Sequence, residues 1–133
     1  MRTFRAFLNG RNEVPPVKTI ATGNAVFKLS ANGTQLRFQF VVNNINQITQ
    51  THIHLGRRGK NGPVVAFLFG PSNFGISVKR GVVRGVLNKS DLVGPLQGKT
   101  ILDLVREIER GNTYVNVHTV QHPDGEIRGQ IVK

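Results

Sequence analysis

Alternation with a period of two constrains this chain more than any other feature. In "NAVFKLS" Ala25, Phe27 and Leu29 fall on one face of an extended segment. In "QLRFQFVV" Leu36, Phe38, Phe40 and Val42 do the same, with Arg37 and Gln39 opposite. Between the two runs, Asn32-Gly33 is a strong signal for a tight hairpin, because both central positions of a type I′ turn need positive φ. The spacing therefore predicts a β-hairpin. Further strands are predicted at "RTFRAFL" (2–8), "QTHIHL" (50–55), "VVAFLF" (64–69), "GVVRGVL" (81–87), "YVNVHT" (114–119) and "EIRGQIV" (126–132), each bounded by Gly, Pro or Asn.

About eight short strands at close spacing predict an all-β sandwich or barrel. One segment breaks the alternation. "TILDLVREIERGN" places Ile101, Leu104, Val105 and Ile108 at i, i+3, i+4 and i+7, with Thr100 and Asp103 spaced as a capping box and Gly111 as a stop. This predicts one short amphipathic helix over about 100–110. The 133 residues suffice for a single domain spanning 1–133 with a core of its own.

The absence of cysteine excludes disulfides, thiolate metal sites and cysteine nucleophiles. No apolar run reaches the length of a membrane span or of a secretory leader. Charge is lopsided. Residues 1–90 hold 13 Lys/Arg against one acid, Glu13, whereas residues 91–133 hold 5 against 6, for a net charge of +11 overall. Such a surface attracts anionic polymers or envelope components without choosing among them, and gives no sign of specific nucleic-acid recognition.

All four histidines lie in two clusters, His52 and His54 in "THIHL" and His118 and His122 in "VHTVQHPDG". Residues i and i+2 of a strand share a face, so His52 and His54 project opposite to Ile53 and Leu55. By the same parity His118 projects opposite to Val115 and Val117. If the two strands are neighbours, three imidazoles converge in a surface cluster, the nitrogen donor set that copper or zinc accepts. His122 either closes that set or caps the "HPDG" turn. Loops 56–63 and 119–125 would fold over the point of convergence, bringing Arg57, Arg58 and Lys60 beside it. Asp124, Glu126 or backbone carbonyls would orient the rings from behind.

Other readings carry less. Glu13 fits a structural ion pair with Arg128 or Arg11, or a turn acid, better than a catalytic acid. Glu107 and Glu109 face apart on the helix, and no Ser/His/Asp arrangement stands out. "GRRGKNGP" has the composition of a phosphate loop but leads into a strand rather than a helix. The phenylalanines of "FRAF" and "RFQF" read as core rather than as stacking platforms for single-stranded nucleic acid.

Three ordered blocks, "FLNGRNEVPPVKTIATGNAVFKLSANGTQLRF" (7–38), "ITQTHIHLGRRGKNGPVVAFLF" (48–69) and "GNTYVNVHTVQHPDGEIRGQI" (111–131), make the chain resemble a CHRD domain, the module named from chordin and widespread in bacteria. The resemblance implies an immunoglobulin-like, Greek-key sandwich or barrel, and it includes the His52-x-His54 pair and the His118-Thr119 dipeptide, with His122 less typical. It also implies an extracellular, envelope or spore-surface setting and an adhesive or structural role. The histidine arrangement is similar to the copper site of Cu,Zn superoxide dismutase by analogy of architecture. The chain lacks that enzyme's disulfide cysteines and zinc loop. The expectation is a copper-binding module (zinc as alternative) on His52, His54, His118 and His122, in storage, buffering or a structural role. The alternatives are an adhesion module and a dismutase-like metalloenzyme.

Overall fold

The computed structural model describes residues 2–72 and 75–133. Among them, seven strands and one α-helix run in the order β1 (Thr3–Asn9), β2 (Thr22–Leu29), β3 (Leu36–Leu55), β4 (Val64–Phe69), β5 (Ile76–Leu87), α1 (Ile101–Glu109), β6 (Thr113–Thr119) and β7 (Ile127–Gln130). All pairings are antiparallel. The path β2-β1-β7-β6-β3 closes through a β2–β3 pairing into a five-stranded barrel, and β4 and β5 lie outside it, each hydrogen-bonded to β3.

The count is seven rather than about eight because two expected strands are one. "QLRFQFVV" and "QTHIHL" are the two ends of the 20-residue β3. The intervening "NNINQIT" is held extended by its pairing with β5 and β6 and absorbs its irregularity as bulges. Asn44 and Gln47 take positive φ of 54° and 55°. Register shifts follow between Ile45 and Ile48 against β5, and between Ile48 and Gln50 against β6. These shifts reverse the inward parity: Leu36, Phe38, Phe40 and Val42 are buried in the first half, Ile45 and Ile48 in the middle, and Ile53 in the second half.

The barrel interior is packed by Phe4, Leu8, Phe27, Leu36, Ile45, Ile53, Val115, Val117, Ile127 and Ile131, all without exposure to solvent. The helix adds Ile101, Leu104, Val105 and Ile108 to the same core, as its spacing predicts. Its start is fixed as expected: the Thr100 hydroxyl accepts from Asp103 N at 3.2 Å, and the Asp103 carboxylate accepts from Thr100 N at 2.9 Å. Strand parity separates the two phenylalanines of "FRAF". Phe4 is core and Phe7 is 55% exposed, so the reading of both as core is corrected for Phe7.

Candidate metal centre

The second half of β3 lies against β6 with His54 opposite Tyr114, His52 opposite Asn116 and Gln50 opposite His118. Ile53, Val115 and Val117 face the barrel interior. The alternation therefore sends His52, His54, Tyr114, Asn116 and His118 to the other side of the wall. His52 and His118 sit on the diagonal of that ladder, within reach of each other. Among the described residues these three histidines form a group whose ligand nitrogens all lie within 4.8 Å of one another.

The cluster is not on the surface. His52, His54 and His118 retain 4%, 7% and 7% of their accessible area. The outer face of this part of the wall is covered. The Phe67 ring of β4 packs edge-on to His52, with centroids 4.5 Å apart, and Tyr114 stacks flat on His54 at 4.7 Å. Loop 56–63 supplies the Gly62 carbonyl to His54 Nδ1 at 2.9 Å, and loop 119–125 supplies the Pro123 carbonyl to His118 Nδ1 at 2.7 Å.

Those partners assign the tautomers. A carbonyl oxygen only accepts, so Nδ1 carries the proton in both His54 and His118. The Gln50 Oε1 at 2.9 Å places the proton of His52 on Nε2. What remains is three bare lone pairs, on His52 Nδ1, His54 Nε2 and His118 Nε2. Two of them face each other at 3.1 Å, and Asn116 Oδ1 adds a fourth acceptor 3.0 Å from His118 Nε2. His54 Nε2 is buried without any partner. The centre thus gathers acceptors and lacks a donor, which is the electrostatic complement of a cation.

A shared ion about 2.0–2.1 Å from each nitrogen requires separations of about 3–4 Å. The His52–His118 pair, at 3.1 Å, already meets this, and the three ligand nitrogens all lie within 4.8 Å of one another. The donor set fits a nitrogen-ligated transition metal. Each ring also has its second nitrogen tied to an oxygen acceptor, the arrangement that orients metal-binding imidazoles.

Burial keeps the rings neutral. It is the main cause that lowers the pKa of His52 to about 3, with His118 and His54 adding to it. It also lowers those of His54 and His118, outweighing the hydrogen bonds to Gly62 and Pro123 that favour the charged forms. Neutral imidazole is the form that binds a metal.

Arg128 holds the cover in place. Its guanidinium donates to the carbonyls of Arg57 (3.0 Å) and Lys60 (2.7 Å) and to Asn61 Oδ1 (3.1 Å), and it lies 3.5 Å above the Tyr114 ring. The glycine- and arginine-rich loop is therefore pinned on its inner side while Arg57, Arg58 and Lys60 stay exposed. Glu13 departs from the expected ion pair. Among the described residues it takes part in none of the salt bridges, because Arg128 is committed to loop oxygens. It is 4% exposed with Oε2 unpartnered, and burial raises its pKa to about 7 against the opposing influence of Arg128 and an Asn116 hydrogen bond.

His122 is not part of the converging group. It sits in the turn after β6, where its amide donates to Thr119 Oγ1 and its carbonyl accepts from Thr119 N and Gly125 N. Nor does Glu126 stand behind the histidines, since its carboxylate accepts from Thr19 and Thr119 hydroxyls. Backbone carbonyls and Gln50 take that role. Gln50 and Asn116 were not singled out from sequence. Asn116 shares parity with His118, and Gln50 is two residues before His52, which is the signal that could have found both.

Compared with known families, residues 4–131 match the family model described as CHRD domain, nearly the whole chain. No curated protein matches the chain.

Proposed function

The chain belongs to the CHRD-domain family, and we propose that it holds one transition-metal ion, copper by preference and zinc as competitor, on His52, His54 and His118. The observation that carries the reading is the convergence of three bare imidazole nitrogens, one of them buried without a partner, while the opposite nitrogen of every ring is anchored on an oxygen. Nitrogen sites favour copper over zinc in the divalent affinity order. With the rings 4–7% exposed, the arrangement suits holding an ion, in storage, buffering or stabilisation, better than turning over a substrate.

The test is metal uptake by the wild type and by a His52→Ala/His54→Ala double variant, with His122→Ala as control. The wild type and the His122 variant take up one equivalent of copper, and the double variant takes up none. Equal uptake by wild type and double variant ends the proposal. Copper-loaded protein gives no superoxide or peroxide turnover above that of the free ion; turnover above it would favour the enzyme reading.

A further inference from the structure

The outer face of β1, β2, the first half of β3 and β5 has a different character. Cross-strand register places Thr3, Lys28, Arg37 and Val86 in one row and Arg5, Val26, Gln39 and Arg84 in the next. Arg5, Lys28, Arg37 and Arg84 are all exposed, one per strand, and together they line a shallow groove floored by Val26, Phe38 and Gly85. At the usual strand spacing of about 4.8 Å, the four cations form a stripe roughly 14 Å long across the strands. Among the described residues none of the four has an acidic partner. Lys28 and Arg37 stand directly opposite each other, a like-charge pairing that destabilises a sheet. Arg84 directs only its Nε at Gln39, at 3.0 Å, which leaves its terminal nitrogens free.

We infer that this stripe binds a linear phosphate polymer laid across the strands, reading its phosphates and not any base. Three of the four cations are arginines, whose forked donors match phosphate oxygens in pairs. A linear polymer is indicated because the charges are arrayed in a line on an open face rather than gathered around a point. Phosphate fits because it keeps its charge across the working pH range and offers oxygens to guanidinium groups on either side of the chain. The inference is independent of the histidine centre.

The test measures binding of long-chain inorganic polyphosphate across a salt series. The wild type is compared with Arg5→Gln/Arg37→Gln/Arg84→Gln and with Lys18→Gln/Lys89→Gln/Lys99→Gln, a control of equal net charge whose lysines are exposed elsewhere. The sheet variant loses at least about tenfold in affinity, and its slope against log salt is shallower by about 2–3, since each released phosphate contact removes about 0.7–0.9. The control stays within about threefold of wild type, and thermal melting of each sample shows that all three remain folded. Equal losses in the two triple variants would reduce the effect to net charge and overturn the inference, as would wild-type protein that does not bind at low salt. Polyglutamate bound as tightly as polyphosphate would overturn the choice of phosphate. Single-stranded DNA of matched charge binds no tighter than polyphosphate; a clear preference for the DNA would contradict base-independent reading.

Discussion

The two halves of β3 make the most instructive comparison in the molecule. In the first half Arg37 and Gln39 leave the barrel into solvent, beside Lys28 and Arg84. In the second half His52 and His54 leave the same strand on the side away from the core, yet they are nearly as inaccessible as the core itself. The strand alternates side chains in both halves, so the strand does not make the difference. The covering does. Loops 56–63 and 119–125 and the Phe67 ring close over one half and leave the other bare. Burying polar rings requires that their nitrogens find partners, and this chain supplies a partner for one nitrogen of each ring. A polar strand face becomes a candidate site when a loop covers it and leaves one set of acceptors unanswered.

The contrast is broken most severely by Arg128→Ala. That change empties the space of a side chain that is 1% exposed, takes the donor from three partly buried loop oxygens and removes the cation from the Tyr114 ring, at a cost of about 3 kcal/mol. Hydrogen exchange is expected to quicken at residues 56–63 and around His54 while the β2–β3 pairing keeps its protection. Gly62→Ala strikes the same cover from the backbone, because an added Cβ would overlap the Leu55 carbonyl oxygen. Denaturant unfolding is expected to show a loss of about 3 kcal/mol and a weakened grip on copper, since the Gly62 carbonyl orients His54.

Metal sharpens the comparison by stabilising only the covered half. At a free concentration of 100 times Kd, copper adds about 2.7 kcal/mol, read as a rise of several degrees in Tm that His118→Ala abolishes. Acid acts in the opposite direction. Burial lowers the folded-state pKa of all three histidines below the ordinary 6.5, so below that pH the unfolded chain binds more protons than the folded one. Metal-free protein is therefore expected to lose stability as pH falls from 6.5 towards 3, where His52 itself titrates, and melting curves across that window check it. Glu13 works in the other sense. Its folded-state pKa is raised from 4.5 to about 7, so its contribution is complete below 4.5 and lost as pH rises through 7. The smallest effect belongs to the uncovered half. Arg37→Gln relieves the repulsion from Lys28 and is expected to shift stability by no more than about 0.5 kcal/mol, in the stabilising direction.

Much of this was legible in the sequence, and the failures have physical causes. The helix followed from its apolar spacing and its Thr100–Asp103 cap. The pairing of β2 with β3 was also legible, but the expected two-residue turn was not: residues 30–35 connect the strands, and of Asn32 and Gly33 only Gly33 takes positive φ. The facing of His52, His54 and His118 followed from their local apolar neighbours. The continuity of β3 did not, because asparagine-rich "NNINQIT" has the composition of a turn and only tertiary pairing keeps it extended. Had β3 been read as one unbroken strand, His52 and His54 would have shared the inward parity of Phe38 and Phe40; the bulges around Asn44 and Gln47 reverse it. The burial of the histidines was equally hidden, since it depends on Arg128 drawing a loop from 68 to 71 residues earlier over the ladder. Glu13 stands at the end of a turn, its amide donating to the Gly10 carbonyl at 3.1 Å, and among the described residues it makes no salt bridge with Arg128, whose guanidinium is taken by that loop.

The most direct test of the central claim is an anomalous difference map at the copper edge from crystals of copper-loaded protein. One dominant peak is expected about 2.0–2.1 Å from His52 Nδ1, His54 Nε2 and His118 Nε2. A peak lying on His122, or no peak within reach of the three rings, would contradict it.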